Sequence, residues 1–255
     1  MTSLLLHVGT KHMTSHPELS KLNQPHPIHS AGTFLSRCTP GQARLVAAVL
    51  KTGRQYTFLR VSLHQDVLCL EANIAFTHMT EHQNGPTLRT IPPPPPPPRS
   101  GGPWYTTEGD PLHDVRPAAR KLLYKASSGS HFGSDKDNSP SLREEWVKMA
   151  DGSKFSVPSL GYLSDMFLPL PENYAETSKT HWYPTLALSI EVKRWAERGG
   201  WDVLFRRAES RVIENGRMDI AVDIFDEQGR IVAISHQVAL IVDAARNKMK
   251  VTAKL

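Results

Sequence analysis

Residues 213–239 read IENGRMDIAVDIFDEQGRIVAISHQVA, and the fold follows from the strand pattern they hold. Ile220, Val222 and Ile224 alternate with Ala221, Asp223 and Phe225, the period of two expected of a strand with one buried face. A Gly-Arg turn, Gly216-Arg217, precedes this strand, and a polar turn, Glu227-Gln228-Gly229, leads to a second apolar strand. Residues 50–76, LKTGRQYTFLRVSLHQDVLCLEANIAF, align to the stretch without a gap, with Gly53-Arg54 over Gly216-Arg217. Upstream, PIHSAGTFLSR and PTLALSIEVKR match in the same way, with Pro27 over Pro184 and Arg37 over Arg194. The chain therefore builds one strand unit twice.

Each half also places an apolar helix before its strands, LLLHVGTKHM in the first and SLGYLSDMFLPL in the second. A helix followed by a meander of long antiparallel strands, made twice, predicts two curved sheets that each enclose a helix and pair as an intrachain pseudo-dimer. Enclosure accounts for a helix with no polar face. The second helix then poses a question, because Asp165 sits among Tyr162, Met166, Phe167 and Leu168. Two readings are open: Ser164 or Asp165 caps a short helix or faces water, or the helix is buried and the acid does chemistry. Pro169 cannot donate to the Asp165 carbonyl, so the helix should bend or end there.

The two units are separated by an unbroken proline run, Pro92 to Pro98, followed by RSGGPWYTTEGDP. Prolines without N–H groups stop ladders and favour an extended spacer. The division expected is an N-terminal unit over 1–90, a Pro/Gly-rich linker over 91–111, and a C-terminal unit over 112–255. Within the last, RPAARKLLYKA reads as a short opening strand, and a Ser/Gly/Asp-rich segment near 127–141 reads as a mobile loop. The 255 residues are 39% hydrophobic and 22% charged, with a net charge of +5, and no apolar run of membrane-spanning length occurs. The basic residues form no block with interleaved aromatics, which disfavours nucleic acid and suits a small polyanionic substrate equally well. Cys38 and Cys69 make neither a disulfide framework nor a metal quartet and read as buried thiols in strands.

GYLSDMF, PTLALSIEVKR, NGRMDIAVDIFDEQGRIVAISHQVALIV and the internal repeat together resemble the TesB-like, type II acyl-CoA thioesterases. The resemblance covers most of residues 4–79 and nearly all of 112–243. It implies an α+β double hotdog fold and hydrolysis of fatty acyl-CoA thioesters without metal or redox cofactor. In that family an Asp on the second helix, a Thr on a facing strand and a Gln on a later strand hold the attacking water. Carried over by motif, these are Asp165 in YLSD, Thr185 in TLALSIEVKR and Gln237 in VAISHQVALIV. Thioester hydrolysis needs a group to take the water's proton and donors for the oxyanion, and backbone N–H groups near the helix start are the expected donors.

This sequence departs from the family's pattern at its start. Family members carry one or more strands and a Gly-Gly turn before the first helix, whereas Met1 lies almost at the helix here. The first hotdog is therefore expected to be incomplete, exposing a sheet edge or leaving its helix partly uncovered.

Arg194, Arg206, Arg207 and Arg211 are candidates for the phosphates of coenzyme A, and Trp182 and Tyr183 for an acyl channel. His12 and His16 have helical spacing for a metal pair, but no third ligand lies nearby in sequence. No G-x-S-x-G elbow is present, which argues against a serine α/β-hydrolase. Leu170 stands where a hotdog hydratase carries a His five residues after its Asp. The terminal Ala253-Lys254-Leu255 resembles the S-K-L peroxisomal address, implying an import receptor as partner, with the cytoplasm as alternative. Rival readings are a non-catalytic acyl-binding or assembly module, self-associating or not, and a thioesterase or cyclase acting on a polyketide thioester.

Overall fold

The computed structural model of the chain describes residues 1–80, 85–86, 88, 103–106, 117–126, 141–174, 180–196 and 199–245. The proline run, most of the expected linker, residues 127–140 of the expected loop and the terminal Ala253-Lys254-Leu255 lie outside the described residues. The first half consists of α1 (Thr2–Ser15), β1 (His26–Phe34), β2 (Arg44–Lys51), β3 (Thr57–His64) and β4 (Leu68–Thr77). The second opens with a 3-10 turn (Pro117–Lys121) and β5 (Leu122–Ala126), then β6 (Leu142–Met149) and α2 (Val157–Leu163). It continues through β7 (His181–Trp182), β8 (Thr185–Val192), β9 (Leu204–Glu209), β10 (Ile213–Glu214), β11 (Arg217–Phe225), β12 (Ile231–Leu240) and β13 (Val242–Asp243).

The two expected sheets are joined edge to edge into one. Its order is β2-β3-β4-β1-β8-β12-β11-β9-β6-β5, with β10 added beside β11 and a separate β7/β13 ribbon. All pairs are antiparallel, and the halves meet where β1 runs against β8, Ala31 opposite Ser189. One hydrophobic core spans both units, including Leu5, Ile74, Leu160, Ile190 and Val222.

The repeat is real, and its alignment needs two adjustments. Asn73 on β4 lies between Ala31 of β1 and Arg60 of β3, while His236 on β12 lies between Ser189 and Ala221. The gapless alignment equates Asn73 with His236 correctly but would set Arg60 over Asp223. The physical cause is the hairpin turn: residues 65–67 link β3 to β4, whereas the longer 226–230 link β11 to β12. The same register moves Pro27 from Pro184 onto Thr185, and both strands carry an irregularity there, between Pro27 and His29 and opposite Ala239 beside Thr185.

β2-β3-β4-β1 is matched by β9-β11-β12-β8, but β6 and β5 have no counterpart in the first half among the described residues. β2 is consequently a sheet edge, with Val46, Val49 and Leu50 exposed, where its equivalent β9 is covered. The helices differ accordingly. α1 buries Leu5, Leu6, Gly9 and Met13 but leaves Leu4, His7 and Lys11 exposed. No residue of α2 is exposed, and the Tyr162 hydroxyl donates to the Ala118 carbonyl of the 3-10 turn. Complete burial of Leu160 and Leu163 is worth about 1.5–3 kcal/mol each. Gly161 is required at the helix crossing, since a Cβ there would stand 3.0 Å from the Ser3 backbone nitrogen of α1.

Candidate active site

α2 begins cleanly and ends early. The Ser159 hydroxyl accepts from the Ser156 N–H at 2.8 Å, and Pro158 sits in the first turn, where its missing N–H costs nothing. The helix stops at Leu163, so Asp165 stands just beyond its last turn rather than at its centre. The expectation that Pro169 sets the break is corrected: the chain has left the helix before reaching it. Side chains from distant strands take the carbonyls that a continued helix would have used. Arg206 donates to the carbonyls of Leu163 at 3.0 Å and Met166 at 2.6 Å, and the Gln237 amide donates to that of Ser164. Such capping resolves an electrostatic conflict, since a carboxylate beside the negative end of a helix dipole is disfavoured.

Arg206 is completely buried, and its guanidinium lies 2.9 Å from Glu145, also buried and directly across the β6/β9 pair. The Phe167 ring lies against the same guanidinium, 5.2 Å from its centroid. Removing two charges from water is costly; the helix-end carbonyls partner Arg206 Nη1, while Nε has no hydrogen-bond partner, so the buried pair is incompletely satisfied. Sequence reasoning placed Arg206 among the coenzyme A contacts. That assignment is corrected, because a fully buried arginine has no surface to offer a phosphate.

The Thr185 hydroxyl donates to Asp165 Oδ1 at 3.2 Å. Thr185 opens β8 at the strand irregularity, and such bulges re-aim side chains out of the regular pleat. Gln237, inward-facing on β12, is buried. Its amide meets the Ser164 carbonyl, so it touches the turn that carries Asp165. In the first half the equivalent positions hold Pro27 and Ile74, so these polar groups occur at only one of the two symmetry-related places.

Asp165, Thr185 and Gln237 all line one cavity of about 410 Å³, in the size range of small-molecule sites. Phe34, Phe167, Met218 and Ile220 supply apolar wall, and Trp182 and Tyr183 line it as well. Phe34 to Cys38, the end of β1 and the segment after it, contribute a wall from the first half. The site thus lies between the two units. Both α2 and Asp165 come from the second, and the N–H groups at the start of α2 lie at the opposite end of the helix from Asp165. The expected oxyanion donors are therefore not these.

The remaining candidates fall elsewhere. Arg194 and Arg211 do not line this cavity. Arg211 pairs with Asp219 at 2.9 Å, and Arg207 with Glu144 at 2.5 Å. The His12 and His16 rings lie 5.2 Å apart, and no group of three potential metal ligands occurs among the described residues. Burial, then the neighbouring His16, pulls the His12 pKa below its ordinary value. Cys69 is buried in β4, but Cys38 sits in the segment after β1 and lines the cavity; burial and contact with Cys69 push its thiol up to about 11. Sequence reasoning missed Arg37, which also lines the cavity, and Glu145. A charged pair in strands that otherwise alternate apolar and polar gives no local sign of burial.

Two sheet-wrapped helical units sharing one continuous sheet, with a cavity between them, define a double hotdog protein. Residues 1–77 match the acyl-CoA thioesterase N-terminal domain and residues 90–241 the acyl-CoA thioesterase C-terminal domain, so the chain belongs to that family. The thioesterase-like protein TwmA of Talaromyces wortmannii is 27% identical over 140 residues, a match spanning 44% of this chain and 40% of TwmA. Among solved structures, the acyl-CoA thioesterase II TesB2 of Mycobacterium marinum superposes with a TM-score of 0.67 at 16% identity, covering 93% of this chain and 88% of that one. A hot dog fold protein of Alicyclobacillus acidocaldarius gives 0.74 at 18% identity, covering 94% and 86%. At these identities the likeness is one of fold. No described helix is long and apolar enough to cross a membrane.

Proposed function

We propose that the protein hydrolyses acyl-CoA thioesters, with fatty acyl groups as the substrate class and Asp165 as general base. The observation that carries this reading is the Thr185 to Asp165 hydrogen bond at the wall of a largely apolar cavity onto which Gln237 also opens. Thr185 occupies Oδ1 and leaves Oδ2 to accept a proton from water. The water oxygen bonds to the thioester carbonyl carbon, and its proton passes to Asp165. Collapse of the tetrahedral intermediate breaks the carbon–sulfur bond, and the proton on Asp165 returns to the departing thiolate. The products are a carboxylic acid and free coenzyme A. General-base assistance of this kind is worth roughly 10²–10⁴-fold in rate. Gln237 is assigned to orienting the water and to holding the Asp165 turn through Ser164. The apolar wall suits an acyl chain, which gains affinity from burial alone.

The test is thiol release from a panel of short to long acyl-CoA thioesters, with wild type and Asp165→Asn. Wild type should release thiol, and the variant should lose at least 10²-fold in kcat. Absence of release from every thioester, or unchanged turnover in the variant, overturns the reading.

A further inference from the structure

We infer that Cys38 and Cys69 form a reversible disulfide that clamps the first-half wall of the Asp165 cavity to β4. They are the only two cysteines in the chain, so one intramolecular pairing exists, and both are free thiols here. The effect of the bond on turnover rests on the proposed hydrolysis, whereas the bond itself does not.

The backbone brings the two thiols together without help from either sulfur. Just before Cys38, the Leu35 and Ser36 N–H groups both donate to the Cys69 carbonyl, at 2.9 and 3.1 Å. Just after it, the Thr39 N–H donates to the Gln65 side-chain oxygen at 3.0 Å. The Gln65 amide in turn donates to the Thr39 and Gln42 carbonyls at 2.9 and 3.2 Å. Gln65 lies in the turn between β3 and β4, so both anchors of the segment belong to one hairpin, and Cys38 is held between them. Cys69 points its thiol at the same segment. Its Sγ lies 3.4 Å from the Val67 carbonyl oxygen and 3.9 Å from that of Arg37, the residue bonded to Cys38. The two thiols are hydrogen-bonded to each other, a contact that tightens to about 2 Å when a disulfide closes.

Cys38 is half-buried and lines the Asp165 cavity, where a small oxidant reaches it, while Cys69 is buried and serves as the resolving thiol. The oxidant is a low-molecular-weight disulfide such as oxidised glutathione. The Cys38 thiolate attacks one of its sulfurs, forming a mixed disulfide and releasing a glutathione thiolate that takes up the Cys38 proton. The Cys69 thiolate then attacks the Cys38 sulfur, forming the Cys38–Cys69 bond and releasing the second glutathione, which takes the Cys69 proton. The two cysteines lose two electrons and the glutathione disulfide gains them. Burial, then the hydrogen bond to Cys69, push the Cys38 thiol up to about 11. Such a thiol is a scarce nucleophile near neutrality and a poor leaving group, so the bond forms slowly and, once made, resists reduction.

The clamp falls on one wall only. Phe34 to Cys38 line the cavity from the first half, whereas Asp165, Thr185 and Gln237 all belong to the second. Drawing the Cys38 sulfur toward β4 therefore reshapes the surface that meets the substrate without touching the base or its partners. The expected signature is a change in KM rather than in kcat.

The test incubates the reduced full-length protein with oxidised glutathione, blocks remaining thiols by alkylation, and reads intact mass and peptide map. The protein should lose two hydrogens, take up no alkyl group, and give a cross-linked pair of peptides containing Cys38 and Cys69. Its Tm should rise by about 5 °C or more, because the bond closes a long loop in the unfolded chain. Cys38→Ser should show neither the cross-link nor the Tm response. After the reagents are removed, KM of the oxidised protein for an acyl-CoA should be higher by about fivefold or more, with kcat within about twofold, as for a pocket wall displaced by about a methylene. Treatment with dithiothreitol should restore the first value. Two alkylated cysteines, a persistent glutathione adduct or a disulfide-linked dimer overturns the bond. A bond that forms with KM unchanged overturns its control of the site. If neither form releases thiol from any thioester, the hydrolase reading falls, while the cross-link and the Tm rise still support the bond.

Discussion

Removing Arg206 should separate fold stability from turnover in a way that tests how Asp165 is held. The guanidinium is wholly buried, faces Glu145 at 2.9 Å, and donates to the carbonyls of Leu163 and Met166 on either side of the catalytic turn. Arg206→Met leaves a buried carboxylate without its cation, a loss of about 3–5 kcal/mol. Glu145→Leu leaves the buried cation and should cost about as much. The double variant removes both charges of the pair, leaving Arg143, which lies 4.0 Å from Glu145, as the nearest cation. Its remaining deficit comes from two helix-end carbonyls without donors and should be about 2 kcal/mol, far less than the sum of the single losses. Turnover should not recover with stability. The turn at residues 163–166 would lose both Arg206 contacts to its backbone and keep the Gln237 contact to Ser164 and the Thr185 contact to Asp165, and misplacing the base by about 1 Å is enough to cost about 10²-fold. Urea unfolding of the four proteins gives the coupling, and thiol release from one acyl-CoA gives kcat. Additive losses would show that the pair does not act as a pair. A double variant with wild-type kcat would show that Arg206 stabilises the fold without positioning Asp165.

Thr185→Val should lower kcat about tenfold with little change in KM, since it removes the hydroxyl from Asp165 Oδ1 while preserving shape; parallel thiol-release and unfolding measurements check this. Gln237→Leu leaves the buried Ser164 carbonyl without its donor and should cost about 1–3 kcal/mol by denaturant titration, together with a drop in kcat. Gly161→Ala forces a methyl against the α1 backbone and should cost about 1–3 kcal/mol, visible as a lowered Tm. Burial works to raise the Asp219 pKa, but hydrogen bonds from the Val212 and Arg211 N–H groups and the Arg211 side chain outweigh it and hold it below its ordinary 3.8. A depressed folded pKa stabilises above the unfolded value and is lost as pH falls through the folded one. The Tm deficit of Asp219→Ala should therefore be full above about pH 4 and close below it; a deficit constant down to pH 2 would refute the linkage.

The sequence by itself determined the repeated strand unit, the two preceding helices and the residue types at Asp165, Thr185 and Gln237. These were legible because alternation of apolar residues and turn chemistry are local properties, and a repeat compares the chain with itself. The end of α2 was not legible. A run of apolar residues with helical spacing continues to Leu170, but the helix closes at Leu163 because Arg206 and Gln237, from β9 and β12, reach its carbonyls. The role of Arg206 was misread for the same reason: burial depends on β6 lying across β9, a pairing between segments about 60 residues apart. Likewise, Arg37 lines the Asp165 cavity from a segment after β1 that is pinned to Cys69 and Gln65. Local pattern decides what each strand and helix is. Which polar groups meet, and which side chains line the cavity, is decided by contacts that form when the chain closes on itself.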